Sequence, residues 1–187
     1  MKLPVIFTVF ITGLALMFYG ISKNCDAQQK TAKGVTSAKA TANTKTENIF
    51  TDDFNTALAT AKKEKKPVFI DFYTDWCGWC KKMDKETYTD PGIQKQIKEG
   101  WVAMKIDAED DSKKGTFNGK SMTHREISQF FKVKGYPSFL FIDKDGKPVT
   151  VESGYFQKQD FALVLKYFKE ELYTKKVVLD RYIEKNK

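Results

Sequence analysis

From Ile49 onward the apolar positions change period several times, and each change marks an element. Phe54, Ala57, Leu58 and Ala61 recur at i, i+3, i+4 and i+7, which predicts a helix capped by Asp52 or Asp53 and stopped by Pro67. Val68–Tyr73 is a short apolar run of β-branched and aromatic residues, the mark of a buried strand. A helical pattern then runs from the cysteines towards Tyr88, and Asp90-Pro91 opens another helical piece through Lys98, as one kinked helix or two. Trp101–Asp107 alternates, with Val102, Met104 and Ile106 on one side, and reads as the second strand. Residues 108–122 are rich in Lys, Gly, Asp and Ser and read as a polar loop. Thr123 and Glu126 form a capping box for a helix carrying Ile127, Phe130 and Phe131. Ser138–Ile142 and Val149–Glu152 are the third and fourth strands, joined by a turn at Asp143–Lys147, and Gly154 reads as a bulge. Phe161, Val164, Leu165, Phe168 and Leu172 mark a last amphipathic helix, and Val177, Val178, Tyr182 and Ile183 continue a helical pattern. Early strands alternate with helices and the last two form a hairpin, so an α/β fold with a four-stranded mixed sheet flanked by helices is expected.

The rest of the chain is organised differently. Leu3–Ile21 is almost wholly apolar behind Lys2, and Cys25-Asp26-Ala27 puts small residues where signal peptidase inspects, so residues 1–27 read as a signal peptide. The apolar run is long for a cleaved signal, which keeps an uncleaved membrane anchor as the alternative. A lipoprotein reading of Cys25 is poorly served by Ser22-Lys23-Asn24. Every version exports the domain. Residues 28–48 are Thr, Ala and Lys with almost no large apolar side chain and read as a flexible tether. The expected organisation is therefore leader 1–27, tether 28–48, domain 49–173 and a C-terminal helical extension, 174–187. Of the net charge of +8, residues 49–187 carry +4, with lysines set beside acidic residues as on a solvated surface. No cluster interleaves aromatics with Arg and Lys, so no nucleic-acid partner is expected. Membrane contact is expected only through an uncleaved leader.

Loss of residues 1–27 would remove Cys25 and leave Cys77 and Cys80 as the whole thiol inventory. A pair with two residues between them closes too small a loop to be an effective staple. At a strand-to-helix junction its spacing suits thiol–disulfide exchange. Asp71 lies six residues before Cys77 in an apolar strand; from the residues alone it is equally an inward carboxyl or a solvated strand residue. His124, the single histidine, falls at the first position of a capped helix, a solvent position, and with the two cysteines falls one ligand short of a closed zinc site. No metal is expected.

Three segments in order carry a family resemblance: Asp-Phe-Tyr-Thr-Asp-Trp-Cys-Gly-Trp-Cys-Lys at 71–81, Lys-Ile-Asp at 105–107, and Val-Lys-Gly-Tyr-Pro-Ser-Phe-Leu-Phe-Ile-Asp at 133–143. From about Phe50 to Leu172 the chain resembles the thioredoxin superfamily, and the wording around the cysteines is most similar to exported thioredoxin-like proteins of bacterial envelopes. The resemblance implies a thioredoxin fold and a redox-active Cys77–Cys80 disulfide. Cys77 would be the nucleophile, its sulfur exposed at a helix N-terminus, and Cys80 the more buried resolving thiol. Asp71 would turn inward as proton partner. A cis Tyr136–Pro137 bond would pack against the cysteines, and Trp76, Gly78, Trp79, Tyr136 and Pro137 would face substrate. No cofactor is implied. The implied partners are disulfide-containing envelope proteins and, for a reductase, a membrane electron donor. Two departures stand out: Gly-Trp separates the cysteines, and Ala103 takes the place of the buried lysine that faces the aspartate in thioredoxin. The competing reading is a tethered binding or chaperone-like module of the same fold without redox turnover.

Overall fold

The computed structural model describes residues 48–187; the expected leader and all of the expected tether but Asn48 lie outside them. In chain order the elements are β1 (Phe50–Thr51), α1 (Phe54–Glu64), β2 (Val68–Tyr73), α2 (Gly78–Lys82), a π-helical turn (Met83–Thr87), α3 (Pro91–Gly100) and β3 (Val102–Asp107). There follow β4 (Lys114–Phe117), β5 (Lys120–Thr123), α4 (His124–Phe130), β6 (Ser138–Ile142), β7 (Pro148–Ser153), α5 (Lys158–Lys169), a 3-10 turn (Leu172–Lys175) and α6 (Leu179–Asn186).

The main sheet runs β1-β3-β2-β6-β7. β1, β3 and β2 are parallel, and β6 and β7 are antiparallel additions. The four expected strands are β2, β3, β6 and β7, the last of them at an edge. The fifth, β1, has two residues, too few to show any alternation.

Because successive side chains of a strand point to opposite faces, β2 divides the core in two. Phe69 joins Ile93, Ile97, Phe139, Phe141 and Phe161 beneath α3 and α5. Val68, Ile70 and Phe72 join Phe54, Val102, Met104, Ile106 and Ile127 beneath α1 and α4. Each fully buried Phe, Leu or Ile contributes about 1.5–3 kcal/mol relative to exposure, so both faces hold the sheet. The caps follow the sequence: Asp53 accepts from the Thr56 N–H, Asp90 from those of Gly92 and Ile93, and Thr123 and Glu126 complete their capping box.

Two expectations need correction here. The segment 108–122 is not merely a loop, because it contains the antiparallel pair β4–β5. Its polar residues face outward while Phe117 and Met122 are buried against the α1 face, two anchors among many polar neighbours. Gly154 is not a bulge. The register shift in the β6–β7 pair falls between Phe141 and Ile142, opposite Thr150 and Pro148. Gly154 instead ends β7 at a φ of 112° and donates its N–H to the Pro137 carbonyl over 2.9 Å. Residues 174–187 lie along α5: the Tyr167 hydroxyl donates to the Val177 carbonyl over 2.7 Å and Ile183 is buried in the α5 face. Among the described residues no helix is long and apolar enough to cross a membrane.

Candidate active site

β2 ends at Tyr73, and the chain turns through Thr74, Asp75 and Trp76 so that the Cys77 N–H donates to the Thr74 carbonyl over 3.1 Å. Cys77 is the N-cap of α2 and is joined to Cys80 by a disulfide. Its sulfur also accepts the Cys80 backbone N–H over 3.0 Å, so an amide that helix geometry would leave unpaired lies against the sulfur.

Cys77 is 4% exposed and Cys80 2%. The expectation of an exposed Cys77 sulfur is therefore corrected for the disulfide form. As N-cap the Cys77 side chain folds back over the first turn, where its sulfur is bonded to Cys80 and accepts the Cys80 N–H. The surface around the pair is aromatic instead. Trp76 is 66% and Trp79 57% exposed. Each indole has a companion: Trp76 meets Tyr136 edge-on with centroids 5.8 Å apart, and Trp79 lies 5.4 Å from Tyr155. The Trp76 indole N–H donates to the Glu109 carboxylate at 3.1 Å, and the Lys82 ammonium lies over both Trp79 and Tyr155. Gly78 is exposed, and a Cβ there would meet nothing within 4 Å, so this glycine is not a steric requirement. Tyr136–Pro137 is a cis peptide, with Pro137 buried and Tyr136 partly exposed.

Beneath this surface Asp71 is 1% exposed. The Tyr88 hydroxyl donates to its Oδ2 over 2.9 Å, and the Lys105 ammonium lies 3.8 Å from the same oxygen. Lys105 also pairs with Asp84 on the π-helical turn. Burial pushes the Asp71 carboxyl up to about 6, opposed by the Lys105 charge and the Tyr88 hydrogen bond, while Asp84 adds an upward push. Burial, the Asp71 charge and the shared hydrogen bond hold Tyr88 well above the usual tyrosine range.

Lys105 adds a cation that the sequence departure at position 103 did not reveal. Ala103 does replace the thioredoxin lysine, yet Asp71 is not left without a cation, because the parallel register sets it directly opposite Lys105. His124 is corrected as well: it is 2% exposed, not solvated, since β5 and α4 fold its ring inward. Burial holds it below the ordinary histidine range. Among the described residues no group of three His, Cys, Asp or Glu side chains is placed to hold a metal. A cavity of about 670 Å³ lies at the other end of β2, between Leu58, Val68, Phe117 and Ile142, away from the disulfide.

The residues that sequence reasoning missed are Tyr88, Lys105, Asp84 and Tyr155. Lys105 had a signal in its parity, since it lies on the strand face opposite Val102, Met104 and Ile106. Asp84 and Tyr88 are four apart, which places both on one side of a helical turn. Tyr155 follows β7 and had none.

A disulfide capping the helix that follows a central strand with a buried carboxyl, together with a cis Tyr136–Pro137 bond whose tyrosine meets Trp76, defines a dithiol site of thioredoxin type. A family model described as a thioredoxin-like domain matches residues 54–169, and the chain belongs to that family. The Thiol:disulfide interchange protein DsbD of Vibrio vulnificus is 34% identical over 99 residues, 53% of this chain and 15% of that protein. The chain thus corresponds to a small part of that relative's length. A thioredoxin-fold protein from Helicobacter pylori superposes with a TM-score of 0.55 at 20% identity, over 75% of this chain and 89% of that one. A thioredoxin from Thermus thermophilus gives 0.51 at 22% identity, over 63% and 84%. These two structures establish the thioredoxin fold.

Proposed function

We propose that this protein is an exported thiol–disulfide oxidoreductase that reduces, or isomerises, disulfides of envelope proteins. The observation that carries the reading is the Cys77–Cys80 disulfide at the head of α2, directly after the strand that buries Asp71. In the reduced protein Cys77 attacks a substrate disulfide as the thiolate, favoured by the first-turn amides, and one substrate sulfur leaves. Cys80 then gives its proton to Asp71 and attacks the Cys77 sulfur, which re-forms the internal disulfide and releases the second substrate sulfur. Two electrons pass from the dithiol to the substrate, and a dithiol donor restores the enzyme. A carboxyl near 6 can take a proton at neutral pH and release it again. Trp76, Gly78, Trp79, Tyr136 and Pro137 form the face that receives an extended substrate segment. Similarity to a thiol:disulfide interchange protein supports a dithiol partner as electron donor, which we place in the membrane. The apolar leader supports export.

Insulin reduction by the purified protein tests the reading: it should be fast for the wild type and fall to the uncatalysed rate in Cys77→Ser. Equal rates would sink it. For direction, Gly-Trp lacks the histidine that stabilises thiolates in strong oxidants, which favours a reductase. Equilibration with a glutathione series reads this directly, since about 30 mV is a tenfold change in equilibrium constant. A potential well above the glutathione couple would reverse the direction. The two exposed indoles favour a second reading, a binding module. It gains if Cys80→Ala traps no disulfide-linked partner while Cys77→Ser/Cys80→Ser still holds the same clients.

A further inference from the structure

Among the described residues Asp71 is the one buried carboxyl, on the strand that leads into the cysteine turn, and its two oxygens are placed differently. Oδ2 accepts the Tyr88 hydroxyl over 2.9 Å and faces the Lys105 ammonium at 3.8 Å. Oδ1 is buried without any hydrogen-bond partner. A carboxylate with both oxygens satisfied is a poor proton acceptor, whereas one with a single held oxygen has a defined vacant lone pair.

We propose that Tyr88 is a positioning residue: its hydroxyl pins Oδ2 of Asp71, so that Oδ1 is the oxygen that takes the Cys80 proton and returns it. The inference rests on the proposed role of Asp71 as proton partner. The balance is simple. As the Cys80 sulfur displaces the second substrate sulfur from Cys77, the Cys80 proton moves to Oδ1, and the substrate leaves as a thiol or thiolate. No oxidant enters beyond the substrate disulfide.

Geometry gives Tyr88 this place. It caps the π-helical turn, and its N–H donates to the Met83 carbonyl over 3.0 Å. Its ring is wedged edge-on between Phe50 and Phe161, with centroids at 4.8 and 5.7 Å. The ring is therefore fixed by packing and delivers its hydroxyl to one point. Because Tyr88 titrates well above the ordinary tyrosine range, it stays a donor throughout the working pH range. The charged and titratable groups that act on Asp71 are Lys105 from β3, Asp84 from the π-helical turn and Tyr88 at its end. β6 faces it with Phe139.

The test uses the full chain and its Tyr88→Phe variant, which keeps the wedged ring and removes only the hydroxyl. The Asp71 side-chain carboxyl is titrated by carbon-13 NMR, and the pH–rate profile of insulin reduction is recorded alongside. The wild-type midpoint is expected near 6. Loss of the donated hydrogen bond should raise it by about one pH unit, with the acid limb of the rate profile moving up equally. In an Asp71→Asn background, Tyr88→Phe should cause no further change. An unchanged carboxyl midpoint in Tyr88→Phe overturns the proposal, as does a midpoint that moves only in Lys105→Met, since the lysine alone would then hold Oδ2. If Asp71→Asn leaves the acid limb in place, Asp71 is not the proton partner. The proposal then falls with that reading even where the NMR midpoint moves.

Discussion

The two faces of β2 differ at one position. On one face Val68, Ile70 and Phe72 meet Val102, Met104, Ile106, Leu140 and Ile142, an entirely apolar layer closed by α1, α4 and the β4–β5 pair. On the other, Phe69 lies among Phe139, Phe141 and Phe161, yet its neighbour two residues on is Asp71. Both layers exclude water, so the contrast is not one of burial. The second layer brings Tyr88 and Lys105 to the same carboxyl oxygen, and that pairing makes a buried acid tolerable near neutral pH. One face contributes stability alone; the other gives up some stability to hold a proton.

The largest expected effect compares one phenylalanine from each layer. Phe161 and Phe54 are both fully buried, and Phe→Ala at either should cost about 3–5 kcal/mol in chemical denaturation. They should differ in a second readout. Phe161 touches Tyr88 and Phe69, so its loss loosens the ring that serves Asp71 and admits water. The Asp71 carboxyl midpoint should then fall towards the ordinary carboxylate range, while Phe54→Ala leaves it unchanged. If both variants move the midpoint alike, the two layers are not separate.

Next is Asp71→Asn, which removes the charge and keeps the shape. The folded carboxyl sits above its unfolded value of 3.8, at about 6, so the unfolded state ionises more readily. The wild type therefore loses stability as pH rises from about 4 to about 6, and the full deficit is present above that window. At about 1.4 kcal/mol per pH unit it amounts to about 3 kcal/mol. Asp71→Asn should be more stable than wild type by about this much at pH 8, with the gain gone below pH 4. Denaturant midpoints across pH check it; a constant difference would place the titration elsewhere.

How far the sequence made this legible depends on the range of each signal. Period and caps are local, so α1, β2, α4 and α5 were readable from Phe54, Asp53, Thr123 and Phe161 themselves. The cysteine pair and Pro137 announced the site through a short motif. What needed the fold was pairing across strands. Lys105 meets Asp71 only through the parallel register of β2 and β3, which neither strand encodes alone. Phe117 and Met122 were masked by polar neighbours, and His124 was misplaced because a side chain at a helix N-terminus is usually solvated while this one is buried.

Gly115 offers a smaller test on the apolar side. A Cβ there would lie 2.5 Å from Phe54, itself buried, so the β4–β5 pair sits directly on that ring. Gly115→Ala should cost about 1–3 kcal/mol through overpacking. Insulin reduction by the folded protein should be unchanged, because the displaced ring belongs to the layer without the carboxyl. A lower rate at full folding would show that strain crosses the sheet.

The smallest expected effect lies at the head of α4. Thr123 accepts the Glu126 N–H over 3.1 Å, and Glu126 in return accepts the Thr123 N–H over 2.8 Å. Removing the hydroxyl in Thr123→Ala leaves one first-turn amide to water and should cost about 1 kcal/mol. The partial exposure of Thr123 limits the loss, since water reaches the freed group. α4 packs Ile127 into the apolar layer, so neither the Asp71 midpoint nor the acid limb of the rate profile should respond. Thermal unfolding and the same carboxyl titration measure both halves. A stability loss of this size with a displaced Asp71 midpoint would mean that the closing of one face sets the proton chemistry of the other, and the division between them would have to be abandoned.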